Sequence, residues 1–196
     1  MTSYIVYRAE QLTSLLLSFN PETEFRIIVD AFGEIQYPTL PVNPELVSFA
    51  LLELISNSIR AHRERGVTEA VKVQLESNSG EFQATVLDAG RGFDPSLLPY
   101  DLNAAASDVD VMSEPFSDYR RVHGGSRFGM GLYMAKKTFS SFKLCFVDAA
   151  GVPCPWYSGK VKGTKIALSL PIADKVESTD DVESVDEVET LEGDDV

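Results

Sequence analysis

Hydrophobic positions change period several times along this chain of 196 residues, and each change predicts an element. Leu46 and Ala50 open a stripe that Glu53, Asn57, Arg60 and Glu64 continue at helical spacing, so an apolar face turns polar halfway along. Asn43 as N-cap, Pro44 in the first turn and Gly66 as the stop bound this helix at Pro44 to Arg65. A period of two takes over from Ala70 to Glu76, with Val71, Val73 and Leu75 on one face. It returns from Glu81 to Asp88, where Phe82, Ala84, Val86 and Asp88 share a parity. Asn78-Ser79-Gly80 between these runs predicts an antiparallel hairpin. Phe128 to Phe139 predicts a helix, Lys143 to Asp148 a strand, and Lys162 to Leu170 a last alternating strand with Thr164, Ile166, Leu168 and Leu170 together.

The flanks give weaker patterns. Arg8 to Phe19 predicts a short helix with Leu12, Leu15, Leu16 and Phe19 on one side, stopped by Asn20-Pro21. Glu24 to Asp30 and Glu34 to Thr39 predict two strands around Gly33. Asp94 to Arg127 lacks clear periodicity and carries Pro95, Pro99 and Pro115. A connection of that length predicts a functional lid or a partly disordered segment, with a helical turn or two between Leu97 and Ala106. Gly151 to Gly159, containing Trp156, predicts an irregular exposed connection.

Charge divides the chain. Of a net charge of −13, the stretch from Ala173 to Val196 supplies −10 through eleven Asp or Glu and one Lys, leaving −3 for the rest. That stretch predicts a disordered acidic tail, and the nearly neutral body has no basic footprint for nucleic acid. With 44% hydrophobic residues the body suffices for one cored domain. No apolar run reaches the length of a membrane span, and the N-terminus shows no leader pattern. Cys145 and Cys154 have no metal-ligand spacing and read as buried or idle thiols, so a reduced, cytoplasmic setting is expected.

Four stretches offer chemistry. Glu53 and Asn57 lie four residues apart on a helix, and a carboxylate beside a carboxamide suits a hydrated magnesium ion. The glutamate could orient a water or accept a proton. Asp88-Ala89-Gly90-Arg91-Gly92-Phe93-Asp94 follows a strand. With helices over the Phe82 face, Asp88 enters the layer between sheet and helices and needs a partner, such as an exocyclic amine like that of adenine. Gly124-Gly125-Ser126-Arg127-Phe128-Gly129-Met130-Gly131-Leu132 opens a helix, where free amides and the helix dipole attract an anion. Arg120, Arg121, His123 and Arg127 add positive charge there. Finally, Gly159-Lys160-Val161-Lys162-Gly163-Thr164 leads into the last strand. Each stretch alone is equally a polar helix edge, a tight turn, a close helix contact or a strand-edge threonine.

Their order is what distinguishes them. An asparagine-bearing helix, Asp-x-Gly-x-Gly, a long lid, a glycine-rich helix start and Gly-x-x-x-Gly-Thr follow one another over about 120 residues. In this the chain resembles, from roughly Asn43 to Pro171, the GHKL ATP-binding superfamily, the Bergerat fold of gyrase, Hsp90, histidine kinases and MutL. The resemblance implies an α+β two-layer sandwich, with helices on one face of a mixed or antiparallel sheet, that binds ATP with Mg2+. It implies Asn57 as magnesium ligand, Glu53 as the residue acting on water or on the acceptor group, and Asp88 on the adenine amine within a box that includes Gly90 and Gly92. Ser113-Glu114-Pro115-Phe116 is similar to the phenylalanine-containing box of histidine kinases. Gly125, Arg127, Phe128, Gly129, Met130, Gly131 and Leu132 would cover the phosphates, Gly163-Thr164 would close the site, and Arg60 and Arg127 are candidate phosphate-side cations.

The expected organisation is an ATP-binding domain at 1–172, with a helix and hairpin at 1–42 and the nucleotide core at 43–172, then the tail at 173–196. Only the acidic tail follows Pro171, which speaks against the gyrase, MutL and Hsp90 branch with its large transducer domain. The expected function is a stand-alone histidine-kinase-like signalling kinase. Neither His62, on the nucleotide helix, nor His123, in the lid, has the setting of a phosphoacceptor, so the acceptor is expected on another protein or a second copy of the chain. The alternatives are an anti-sigma-factor serine kinase and a non-catalytic module whose ATP-ordered lid meets a partner.

Overall fold

A computed structural model describes residues 5–6, 14–78, 80–122 and 130–173 of the protein. Strands β1 (Ile5–Val6), β2 (Ser14–Phe19), β3 (Val71–Asn78), β4 (Glu81–Asp88), β5 (Ser141–Val147), β6 (Pro153–Cys154) and β7 (Gly163–Pro171) form one sheet. Its spatial order is β1-β2-β3-β4-β7-β5-β6, and every pairing is antiparallel. Helices α1 (Phe25–Gly33), α2 (Pro44–Arg65) and α4 (Met130–Thr138) contribute to the core on the sheet's covered face. Helix α3 (Glu114–Val122) belongs to the long connection between β4 and α4.

Alternation in the strands makes this layer. Leu17, Val73, Val86 and Ile166 lie in register across β2, β3, β4 and β7, and all four are buried. Over them α2 lays Val47, Ala50, Leu51, Leu54, Ile55 and Ile59, and α4 adds Leu132 and Ala135. Burying each large apolar side chain contributes about 1.5–3 kcal/mol, and this contiguous layer holds helices and sheet together. The bounds of α2 agree with the sequence signals. The Asn43 side chain accepts from the Glu45 amide at 2.9 Å, and Gly66 closes the helix in the left-handed region at φ 63°.

Two N-terminal expectations are overturned. Ser14–Phe19 is a strand, not the end of a helix over Arg8 to Phe19. Leu15, Leu17 and Phe19 are buried at a period of two, while Leu16, counted on the helical face, is 52% exposed. Six residues pair with β3, and that ladder outweighs a short run of leucines with good helix propensity. Residues 8–13 lie outside the described part.

The hairpin expected between Glu24 and Thr39 is also replaced, by α1 and an irregular segment. Phe25, Ile27 and Val29 mimic a strand, but they are the exposed apolar residues, at 54%, 45% and 39%. The buried pair is Ile28 and Phe32, one helical turn apart, turned toward the core shared with α2. Gly33 ends the helix.

Cys145 and Cys154 are free and half-buried. No helix of the described residues is long and apolar enough to cross a membrane. The expected disordered tail falls, apart from Ala173, outside the described residues. Ala173 is tied by its amide to the Thr39 carbonyl at 2.8 Å.

Candidate functional site

Helix α2 supplies the site from two of its faces. Glu53, Asn57 and Arg60 stand on the face away from the sheet and, with Phe25 and Ser56, line a cavity of about 240 Å³. That is below the usual size of a small-molecule pocket, so it suits one end of an elongated ligand. Arg60 Nη2 donates to Asn57 Oδ1 at 2.6 Å. Burial holds the Arg60 guanidinium below its usual range, while the Glu64 and Glu53 carboxylates pull the other way.

The start of α4 lies directly against this face. A Cβ on Gly131 would come 2.8 Å from Asn57 Nδ2 and 3.1 Å from the Glu53 Cβ, so only glycine lets the helix approach so closely. Leu132 is buried in the main core. Met130 packs with Met134 on a smaller cluster of Val109, Phe116 and Tyr133. Gly125, Arg127, Phe128 and Gly129 lie outside the described residues.

Asp88 ends β4 with the inward parity expected of it. Its Oδ1 accepts from the Gly90 amide at 2.8 Å and from the Thr164 amide at 3.2 Å, and its Oδ2 accepts from the Ser58 hydroxyl at 3.2 Å. Burial raises the Asp88 pKa above its ordinary 3.8, and these donors hold it partly back. Thr164 is buried and pairs with Asp88 across the β4–β7 ladder, as the shared parity implied. Gly92 has φ 67°, and its carbonyl accepts from Arg65 Nη1 at 2.7 Å.

Two contributors were not foreseen. Ser58 and His62 fall one turn apart on the buried stripe of α2, and both reach the end of β4. Two polar residues on an otherwise apolar stripe were a legible signal. Gly163, expected to close the site with Thr164, has no room for a side chain: a Cβ there would lie 1.9 Å from the Asp88 carbonyl oxygen.

Over its described residues the long connection between β4 and α4 is more ordered than the sequence suggests. Short 3-10 turns at Pro95–Leu97 and Ala106–Asp108 precede α3. Phe116, from the expected phenylalanine box, is fully buried and stacks on Tyr100 with ring centroids 5.6 Å apart. Lys136 of α4 donates to the Leu102 and Ala104 carbonyls and so pins the first half of the lid.

Among the described residues no group of three or more His, Cys, Asp or Glu is placed to hold a metal ion. The donors beside Gly131 are one carboxylate and one carboxamide. They fit a magnesium ion that keeps most of its water and arrives with phosphate, and do not fit a protein cage. Asn57 Oδ1 has a second lone pair beyond the one Arg60 occupies.

A helix-covered antiparallel sheet, an amide-bracketed aspartate at a strand end and a glycine-started helix over Glu53 and Asn57 define a nucleotide-binding domain of the Bergerat fold. The sequence profile of the histidine kinase-, DNA gyrase B-, and HSP90-like ATPases matches residues 42–174, and the chain belongs to that family. ATP is the ligand this membership implies. No curated protein matches the chain significantly.

Proposed function

We propose that this protein is a histidine-kinase-like signalling kinase that uses magnesium-ATP to phosphorylate a separate protein. The observation that carries the reading is the close approach of Gly131 to both Glu53 and Asn57. It sets the glycine-rich start of α4 against a carboxylate and a metal-type oxygen. In this reading Asp88 accepts the adenine amine from a turn shaped by Gly90 and Gly92, with Thr164 beside it. Asn57 offers Oδ1 to the metal, and Arg60 faces the phosphates. The segment Gly125, Arg127, Phe128, Gly129, Met130, Gly131 and Leu132 covers the phosphates with its amides and cation. Magnesium, when bound, neutralises charge on the phosphate oxygens as the terminal group transfers. Glu53 takes the proton of the attacking hydroxyl, imidazole or water.

His62 is enclosed, with both ring nitrogens engaged, which supports an acceptor elsewhere. Residues 1–172 form the ATP-binding unit in this reading, 173–196 an acidic appendage, and the setting is cytoplasmic.

Incubation with γ-labelled ATP and magnesium, with and without lysate from the source organism, tests the proposal. Protein-bound label in the presence of lysate is expected. Acid-labile label identifies a histidine or aspartate acceptor, and acid-stable label a serine kinase of the anti-sigma type. ATP binding with neither label nor free phosphate would replace the kinase by a nucleotide-gated interaction module.

Asp88→Asn separates recognition from folding. Asparagine keeps an oxygen for the Gly90 and Thr164 amides but turns a donor toward the ligand amine. ATP affinity should fall about tenfold or more, with inorganic tripolyphosphate unaffected, in calorimetric titration. Because the folded pKa of Asp88 is raised, the native state binds its proton more readily than the unfolded chain. The native carboxyl therefore favours folding below pH 3.8, and that contribution is lost as pH rises through the folded pKa. Above the folded pKa the ionised group is a liability, so there Asp88→Asn should melt no lower than wild type. A lower melting point with equal loss of both ligands would mean general damage.

A further inference from the structure

We propose that His62 is a positioning residue for purine recognition: it fixes the turn after Asp88 before any ligand arrives. The inference rests on the reading of Asp88 as the adenine acceptor and adds a determinant that touches no ligand itself.

His62 lies in the last turn of α2 and is 0% exposed. Its Nδ1 is 3.0 Å from the Glu69 carbonyl oxygen, an atom that only accepts, so Nδ1 carries the hydrogen. Nε2 is then a bare lone pair, and the Ala89 amide donates to it at 2.8 Å. The helix end thereby fixes the tautomer, and the tautomer supplies the acceptor.

Ala89 follows Asp88 directly. One turn earlier on the same stripe, the Ser58 hydroxyl donates to Asp88 Oδ2. The two buried polar groups of α2 thus hold the carboxylate and the next peptide as a unit. Asp88 Oδ1 then takes the Gly90 amide, leaving little freedom for the turn. The imidazole is also a wall of the turn, since a Cβ on Gly90 would meet His62 Cδ2 at 3.3 Å and Ala61 Cβ at 3.2 Å. An apolar side chain would fill this place on the stripe equally well but would leave the Ala89 amide without this acceptor. Histidine reaches the peptide from the helix and satisfies a carbonyl behind it. Rotation of the Asp88–Ala89 peptide would carry the Gly90 amide off Asp88 Oδ1 and loosen the carboxylate from the direction an amine must meet, and the bond to His62 opposes that rotation.

The test compares His62→Asn, which keeps a donor for Glu69 but ends short of Ala89, with His62→Gln, whose carbonyl reaches the Nε2 position. Magnesium-ATP and inorganic tripolyphosphate are titrated calorimetrically, below the melting point of each variant. For His62→Asn, ATP affinity should fall about tenfold with tripolyphosphate unchanged, and His62→Gln should restore ATP binding to within about threefold. Loss of both ligands in equal measure, or ATP binding as tight as wild type in His62→Asn, would overturn the inference alone. Wild-type protein that holds ATP no more tightly than tripolyphosphate would overturn the adenine reading and this inference with it. A second measurement needs no variant. Hydrogen exchange at the Ala89 amide should be slow in the ligand-free protein and change little with ATP, whereas protection that appears only with ATP would refute a pre-set turn.

Discussion

Asn57→Ala should weaken magnesium-ATP binding about a hundredfold, or roughly 2.7 kcal/mol, while ATP binding in EDTA changes little. The asparagine sits on the polar face of α2, where its oxygen is, among the described residues, the only carboxamide acceptor lining the Glu53 cavity. Magnesium gives up water reluctantly and gains most from one well-placed protein oxygen plus phosphate. If Asn57 holds the metal as proposed, an alanine methyl would return that coordination place to solvent. The cost to folding should be small, about 1 kcal/mol, because the one hydrogen bond lost is to a guanidinium at a half-buried position. Isothermal titration with and without magnesium reads the difference. An equal fall in EDTA would mean that Asn57 acts by restraining Arg60, and the metal assignment would go.

Glu53→Gln should act on turnover instead of binding. Glutamine preserves the volume beside Gly131, where a Cβ would already crowd the Glu53 side chain, so α4 should stay seated. The amide oxygen is too weak a base to take the proton of an attacking nucleophile. Loss of a positioned general base costs about 10²–10⁴ in rate. Phosphate release or transfer should therefore drop by that factor, with ATP affinity held within about threefold. Rate constants at saturating ATP, set beside calorimetric affinities, make the comparison. A large rise in KM with kcat preserved would show Glu53 serving the metal or the helix contact and not the proton.

Much of this site can be read in the sequence because its residues interrupt strong periodic patterns. Asp88 stands where an apolar strand parity ends in a charge, and Asn57 where a helical stripe turns polar. The strands β3, β4 and β7 could be found for the same reason, their burial alternating with hardly a fault. The N-terminal region failed because local pattern and tertiary demand disagree there. Phe25, Ile27 and Val29 alternate yet stay largely outside, while the pair that matters, Ile28 and Phe32, is short enough to be overlooked. For β2, register with β3 decides the conformation, and register with a strand fifty residues away leaves no local trace. The lid hid α3 for a related reason: Phe116 is buried against Tyr100 and Tyr133, partners distant in sequence. Ser58 and His62 were legible as polar breaks in an apolar stripe, but what they hold, the Asp88 carboxylate and the peptide after it, is visible only where the helix meets the strand end.

The ladder between β4 and β7 runs unbroken from Glu81 opposite Pro171 to Asp88 opposite Thr164. Side chains alternate between faces along it, so removing one residue between Phe82 and Asp88 would send the aspartate to the opposite side and put Ala89 in its place. Removing two would preserve the side. The strand therefore works as a parity check on inheritance: a single-codon indel within it would turn Asp88 away from the side on which the proposed adenine contact is made.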